Sequence, residues 1–231
     1  MTIVISPVTG FQHSLRNVAD GVTYFGYQDE KEILCNANAN IDFLIKPKRS
    51  FSSAEEMNKF NGRHFSIRFN DRNAKFYLLD LGNGFGTFYK LAQRAALKDG
   101  CLINIGNSYI VSNITSGNDI ALVVYNDNSD RKRYVFSKDS GHICIGRDEE
   151  WNDVAIKDGL LSRVHCTVWW DDAVEKWMVM DGKAAVSVSQ GESGAASTNG
   201  TWMYVLEEKE ITEGMIFKSN YNLYMCKYCD A

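Results

Sequence analysis

Three short motifs in the second half of the chain carry side chains that can donate hydrogen bonds to an anion. The motifs are G-R at Gly146 and Arg147, directly after the apolar run 143–145, then S-R-V-H from Ser162, and T-N-G-T-W over 198–202. Guanidinium, hydroxyl and amide groups are all donors, and a charged guanidinium binds an anion more strongly than a neutral donor does. Each motif is common by itself, so its meaning depends on the order and setting of all three.

In this order, with an apolar strand before the first motif, the set resembles the scattered signature of a forkhead-associated (FHA) domain. The resemblance implies a β-sandwich that binds phosphothreonine in a partner protein and performs no catalysis. A phosphothreonine brings a charge of roughly −1.5 to −2 and three acceptor oxygens, so its site needs a fixed guanidinium, hydroxyl donors and backbone N–H groups at a loop apex. FHA domains are among the modules that recognise phosphorylated motifs.

The resemblance also implies a role for each matching residue. Arg147 binds the phosphate or supports its loop, Ser162 donates its hydroxyl to the phosphate, and Arg163 is a second cation that contacts the phosphopeptide. Asn199 holds the peptide backbone beside the phosphothreonine, and Thr198 lines the site. Four further residues support the site structurally: Gly146, His165, Gly200 and Thr201. In this picture the histidine is packed and fixes the apex, so it is not a general base.

The second half of the chain repeats the first. His64 aligns with His165 and Asp80 with Asp181, both at an offset of 101. The other aligned blocks are 34–45 with 145–156 at an offset of 111, and 85–88 and 97–103 with 199–202 and 211–217 at an offset of 114. Three blocks in the same order predict two copies of one domain.

The repeat predicts two domains in tandem. We expect a degenerate FHA-like sandwich over 1–115 and a phosphopeptide-binding FHA domain over 119–231. The small polar run Ser112–Asp119 is the expected junction. Polar, serine-bearing insertions around 46–59 and 182–197 are expected to be loops. The second would extend the peptide footprint, fold over the site or be a disordered spacer.

The first copy keeps the scaffold positions and loses the charged ones. At the aligned positions Arg147 becomes Asn36, Ser162 becomes Asn61, Arg163 becomes Gly62 and Asn199 becomes Phe85, whereas His64, Gly86 and Thr87 remain. The loss removes charge-assisted hydrogen bonds worth about 1.5–3 kcal/mol each. Arg63 would substitute only if its side chain turned toward the apex. We therefore expect the first domain to be structural, or to bind a protein without phosphate.

The fold class follows from strand patterning. Short stretches of alternating apolar and polar residues recur about every 8 to 12 residues between turn signals such as Asn-Asp and Asp-Gly, a pattern typical of a β-sandwich. Only Ala54–Phe60 and Leu91–Ala96 have a pattern compatible with helix. The expected fold is all-β, with two FHA-like (SMAD/FHA-type) sandwiches.

Charge and composition argue against several other classes of protein. A net charge of −4 disfavours nucleic acid as a partner, since proteins that bind its backbone carry a basic stripe. No apolar run approaches the roughly 20 residues that a membrane helix needs. The first ten residues lack the features of a secretion signal, so we expect an intracellular protein, cytoplasmic or nuclear, with reduced thiols. One C-x-x-C, at Cys226 and Cys229, has no second pair to complete a metal site.

Two functions fit these residues, and neither is enzymatic or needs a cofactor or a metal. The first is an adaptor whose second FHA domain docks on a threonine-phosphorylated protein. The alternative is a constitutive scaffold, in which both sandwiches bind proteins through their surfaces without phosphate. Phosphate dependence of binding separates the two.

Overall fold

The structure is a computed structural model that describes residues 2–7, 14–17, 21–28, 41–45, 47, 50–126, 131–184 and 195–229. These residues form strands, one α-helix and one 3₁₀ turn, which confirms the all-β fold class. The elements of the first half are β1 Thr2–Pro7, β2 Ser14–Asn17, β3 Val22–Tyr27, β4 Phe43–Leu44, α1 Ala54–Phe60, β5 Gly62–Asn70, β6 Lys75–Asp80, β7 Thr87–Lys90, β8 Ala95–Ala96, β9 Leu102–Ile105 and β10 Ser108–Ile114.

The elements of the second half follow the same pattern of short strands. They are β11 Ile120–Tyr125, β12 Arg131–Phe136, the 3₁₀ turn Lys138–Ser140, β13 Ile143–Gly146, β14 Val154–Ala155, β15 Cys166–Asp171, β16 Lys176–Asp181, β17 Trp202–Tyr204, β18 Lys209–Glu210, β19 Ile216–Ser219 and β20 Asn222–Cys229. No helix in the described part of the chain is long and apolar enough to cross a membrane.

The chain forms two compact units. The split unit comprises Met1–Tyr89 and Val205–Ala231, and the continuous unit comprises Lys90–Tyr204. In the split unit one sheet has the order β7-β19-β20-β1-β2 and the other β18-β6-β5-β3-β4. In the continuous unit the sheets have the orders β17-β9-β10-β11-β12 and β8-β16-β15-β13-β14. The two units therefore have matching strand orders, and in each the only parallel pair among the described strands is the short one, β3 with β4 or β13 with β14.

The internal repeat recurs as matching backbone hydrogen bonds. Leu81 N–H donates to His64 O at 2.8 Å, and Gly182 N–H donates to His165 O at 2.7 Å, which reproduces the offset of 101. Further along, the bond from Gly100 N–H to the Ser112 carbonyl (2.8 Å) has a counterpart 114 residues later. Both copies of the repeat thus fold locally in the same way.

The compact units do not follow the predicted division between 115 and 119. Ile114 and Ile120 are cross-strand partners, and Thr115 N–H donates to Asp119 O at 2.9 Å, so the expected junction is the hairpin turn between β10 and β11 within the continuous unit. Asn118 there has a positive φ of 64°, which asparagine tolerates in turns. Residues 90–114, from the first copy, complete the continuous unit, and residues 205–229, from the second, complete the split unit.

Each unit has its own apolar interior. In the split unit Phe25 stacks on Phe65 with ring centroids 4.5 Å apart, and Phe65 meets Phe217 of β19 edge-on at 5.2 Å. In the continuous unit Ile103 and Ile110, from the first copy of the repeat, are completely buried. The interior of each unit therefore contains residues from both halves of the chain.

Of the two segments predicted to be compatible with helix, one is helical and the other is not. Ala54–Phe60 is an α-helix, as predicted, although the sequence also placed part of it in a loop insertion. Ser53 caps the helix by accepting a hydrogen bond from Glu56 N–H, and Phe60 is buried at its end. Leu91–Ala96 is not helical, because Ala95 and Ala96 pair with β16 as the short strand β8.

Candidate functional site

The three motifs meet at one loop end of the continuous unit, here called the apex. The G-R motif lies at the end of β13, with Gly146 as the last residue of the strand. Ser162 and Arg163 lie between β14 and β15, and Thr198 and Asn199 precede β17. Arg147 N–H donates to the Ser162 carbonyl at 3.2 Å, and Thr198 N–H donates to Ser162 Oγ at 3.0 Å. Residues distant in sequence are thus joined directly through Ser162.

Two hydroxyl groups lie side by side at the centre of the apex. Ser162 Oγ is 3.3 Å from Thr198 Oγ1 and donates to it. Ser162 is half-buried and Thr198 is exposed, so both hydroxyls can reach a ligand arriving from solvent. Hydroxyl hydrogens rotate, which lets the pair reorient toward an acceptor oxygen.

Two arginines adjoin the hydroxyl pair along the backbone, since Arg147 N–H bonds the Ser162 carbonyl and Arg163 follows Ser162 in the chain. Arg147 and Arg163 are exposed, and within the described residues neither side chain has a hydrogen bond or an ion pair. Gly146 makes this arrangement possible, because a Cβ at that position would lie 2.1 Å from the Arg163 carbonyl oxygen. The close approach brings the main chains that bear the two arginines together.

His165 lies beneath the apex and holds two of its loops. Ser162 N–H donates to Nδ1 at 3.2 Å, so the proton of the neutral ring is on Nε2, which donates to Gly200 O at 3.1 Å. The ring is fully buried, and burial lowers the pKa of His165 below its usual value. The histidine is therefore neutral, in a fixed tautomer, and bonded to both the S-R-V-H loop and the N-G-T loop.

The carboxylate of Asp181 organises the N-G-T loop. In the sequence this residue is marked only by its match to Asp80 in the internal repeat. Asp181 accepts hydrogen bonds from Ser197 N–H at 2.9 Å, Ser197 Oγ at 2.6 Å and Thr201 Oγ1 at 2.7 Å. Ser197 Oγ also accepts from Gly200 N–H at 2.9 Å. Thr201 is buried, and its hydroxyl belongs to this network. The Asp80–Asp181 match at offset 101 was the signal that marked this position.

Sequence reasoning missed Asn152 and Leu160, which also shape the apex. The Asn152 side-chain amide donates to the carbonyls of Asp148 and Arg163, both at 2.6 Å, and so joins the two arginine-bearing loops. The Asn199 side-chain amide donates to Leu160 O at 2.7 Å. Neither contact belongs to a sequence motif. A single asparagine that bonds two backbone carbonyls cannot be recognised from residue spacing, and neither can a backbone carbonyl that accepts from a side chain.

The predicted insertion at 182–197 lies mostly outside the described residues, since 185–194 are not described. Its two ends are adjacent, with Lys183 N–H 3.4 Å from Ala195 O. The second end carries Ser197 and leads directly into Thr198. The insertion therefore begins and ends beside the apex.

The split unit has an equivalent loop end, and there the predicted alignment needs a correction. Gly26, not a residue near Asn36, occupies the place of Gly146. Ile45 N–H donates to Gly26 O as Ile156 N–H does to Gly146 O, and a Cβ on Gly26 would lie 2.2 Å from the Gly62 carbonyl oxygen. Tyr27 therefore stands where the continuous unit has Arg147. Asn36 itself lies outside the described residues, and the longer connection between β3 and β4 explains the shifted alignment.

Aromatic rings replace the polar groups at the loop end of the split unit. Tyr27 packs against Phe51 and Phe60 with centroids 5.3 and 5.4 Å apart. Phe85, the counterpart of Asn199, is 50% exposed and lies 5.4 Å from the ring of Tyr221. The Arg63 guanidinium lies 4.0 Å from the centroid of the Tyr24 ring, so it is engaged in a cation–π contact.

No group of three or more histidine, cysteine, aspartate and glutamate side chains in the described part of the chain is placed to hold a metal ion. Cys101, Cys144, Cys166 and Cys226 are free thiols. Burial raises the pKa of Cys166 and Cys144 above the usual thiol value. Such thiols stay protonated and behave as small apolar side chains.

Residues 143–218 match the family model of the FHA domain. The match covers about a third of the chain and contains the three motifs. FHA domains are phosphopeptide-binding modules rather than catalytic ones, and they act in protein–protein interaction. The matched segment extends through β18 and β19, which complete the split unit, whereas β8 and β9 complete the continuous one. No curated protein matches the chain.

Proposed function

We propose that the continuous unit binds a phosphothreonine-containing segment of a partner protein at its apex. The observation that carries the proposal is that two arginines, whose side chains have no partner among the described residues, and two adjacent hydroxyls belong to neighbouring loops within the segment that matches the FHA family. A phosphate monoester is doubly charged or nearly so and accepts hydrogen bonds at three oxygens, which suits this set of donors.

Each donor has a distinct task in the proposed complex. Ser162 Oγ and Thr198 Oγ1 donate to phosphate oxygens after turning away from each other. Arg147 and Arg163 supply the positive charge, and neither has to break an existing contact to the described residues. The side-chain amide of Asn199 donates one N–H to Leu160 O. Its second N–H and its side-chain oxygen are left for the backbone of the peptide.

The split unit in this proposal does not bind phosphate. Its counterparts of Arg147 and Arg163 are Tyr27 and Gly62, and Arg63 is engaged with Tyr24. It supports the continuous unit or binds protein without phosphate. The whole chain then acts as an adaptor that couples a threonine kinase to protein assembly, and such a role belongs in the cytoplasm or the nucleus, where kinases and their substrates meet.

Calorimetric titration of the intact chain tests the proposal, with a degenerate phosphothreonine peptide pool and its unphosphorylated twin as ligands. We expect binding that requires the phosphate and that falls about 10- to 100-fold in Arg147→Ala, the range expected for the loss of a charge-assisted hydrogen bond. Arg72→Ala is the matched control, since Arg72 is an exposed arginine in the β5–β6 turn of the split unit. Equal binding of both pools would favour the constitutive scaffold, and binding of neither would reject the proposed site.

A further inference from the structure

The end of β7 brings a third cation to the apex. Lys90 is the last residue of β7, and the next residue, Leu91, donates its N–H to Thr201 O at 2.9 Å. This bond fixes Lys90 beside the turn that follows Asn199. The lysine belongs to the continuous unit, although its sequence lies in the first copy of the repeat.

Gly200 provides the space for the lysine side chain. The glycine has a φ of +79°, and a Cβ built on it would lie 2.4 Å from Lys90 Cε and 3.2 Å from Nζ. The end of the lysine side chain therefore lies against the bare face of the glycine. Any larger residue at position 200 would displace it.

The ammonium group has no acceptor within the described residues, and Lys90 as a whole is half-buried. A lysine ammonium has three donors and no acceptor, so a nearby anion is its natural partner. The offset of 114 pairs Lys90 with the uncharged Tyr204 in the second copy. The two copies of the repeat therefore do not share this lysine.

The position of Lys90 indicates what it would bind. Gly200 comes two residues after Thr198, and an extended chain advances about 3.3 Å per residue. Two residue lengths, about 7 Å, are thus the upper limit for the separation of these two backbone positions. The ammonium, which lies against Gly200, is beside Asn199, the residue assigned to the peptide backbone. In the proposed complex it would face a side chain next to the phosphothreonine, while Ser162, Thr198 and the arginines hold the phosphate.

We infer that Lys90 is a specificity-determining residue that selects an acidic side chain within three residues of the phosphothreonine. The inference rests on the proposed function of the continuous unit. It adds a requirement that the three motifs do not contain, namely a second negative charge on the ligand.

The test uses the intact chain and three phosphothreonine peptide pools whose three flanking positions on each side are enriched in glutamate, alanine or lysine. Wild-type protein should bind the glutamate pool about two- to fivefold more tightly than the alanine pool, as expected for one solvent-accessible ion pair. Lys90→Ala should abolish this preference, so that the glutamate and alanine pools bind with equal affinity. Lys90→Glu should reverse the preference in favour of the lysine pool.

Lys176→Ala is the matched control. Lys176 is an exposed lysine at the start of β16, and Asp181, which supports the N-G-T loop, is at the other end of this strand. This variant should keep the wild-type preference. An unchanged preference in Lys90→Ala, or an equal loss of affinity for all three pools, would overturn the assignment of Lys90 and leave phosphate-dependent binding intact as a separate result. Failure of the wild-type protein to bind any phosphopeptide would instead overturn the proposed function and this inference with it.

Discussion

The loop ends of the two units share a scaffold and differ in chemistry. His64 and His165 are both completely buried, and so are Thr87 and Thr201. Gly26 and Gly146 allow the same close approach to a carbonyl oxygen on the neighbouring loop. Above this common base the continuous unit presents arginines and hydroxyls, whereas the split unit presents Tyr27, Phe85 and other aromatic rings.

The difference separates what the fold requires from what a ligand requires. The buried histidine, threonine and glycine recur in both units, where they fill the interior and position the loops. The exposed residues at the apex differ between the units although the strand order is the same. Likeness of fold between the units is therefore no argument for likeness of function.

The largest expected effect comes from dividing the chain at the two alternative boundaries. A fragment of residues 119–231 lacks β8, β9 and β10, and with them Ile103 and Ile110. Each buried isoleucine contributes about 1.5–3 kcal/mol, a large part of the 5–15 kcal/mol that typically stabilises a domain. We expect this fragment to be unfolded and a fragment of residues 90–204 to fold and bind phosphopeptide, as measured by thermal unfolding and calorimetry. Cooperative unfolding of 119–231 alone would contradict the exchange of strands.

Much of the fold was predictable because alternation of apolar residues and the repeat are local features. The exchange of strands between the units was not predictable. Residues 97–103 and 211–217 have the same pattern of apolar and polar residues, so the pattern alone does not tell which unit each segment joins. The run from Ser112 to Asp119 suits a linker and a hairpin turn equally. Of the apex, the three motifs were predictable, but Asn152 and Lys90 act through contacts that no spacing records.

A matched pair of glycine substitutions compares the two loop ends directly. Gly146→Ala and Gly26→Ala each place a Cβ within 2.2 Å of a backbone oxygen, so each should destabilise its own unit by about 1–3 kcal/mol, as overpacking does. Only Gly146→Ala should also reduce phosphopeptide affinity, because it pushes Arg163 away from Arg147. Chemical denaturation and calorimetry measure the two effects, and a similar loss of binding in Gly26→Ala would show that the loop end of the split unit takes part.

Removal of one hydroxyl sharpens the same comparison. Ser162→Ala should weaken phosphopeptide binding about tenfold, since a hydrogen bond to a charged group contributes about 1.5 kcal/mol or more. Asn61→Ala, at the equivalent position of the split unit, should leave the affinity unchanged. Isothermal titration of both variants with one phosphopeptide decides the point, and equal effects would argue against a single site.

The smallest effect concerns pH. Burial lowers the pKa of His165 and of His64, so below about pH 6.5 the unfolded chain binds protons that the folded chain does not. The free energy of unfolding should therefore be independent of these histidines well above that pH and should fall as the pH drops through about 6.5 toward the lowered pKa values. Denaturant unfolding at pH 7.5 and 5.5 measures this.

Two histidine variants give the control for the pH effect. His165→Gln should reduce the dependence on pH, whereas His142→Gln, at an exposed histidine, should leave it unchanged. Stability that rises between pH 7.5 and 5.5 would contradict the assignment of His165 and His64 as neutral buried struts.

The most direct test of the central claim, that one of the two sandwiches binds phosphothreonine, is an amide-resolved NMR titration of the intact chain with a phosphothreonine peptide and its unphosphorylated twin. Phosphate-dependent shifts should appear at Arg147, Ser162, Arg163, Thr198 and Asn199 and be absent at Tyr27, Asn61 and Phe85. Shifts at the loop end of the split unit, or equal shifts with the unphosphorylated peptide, would contradict the account.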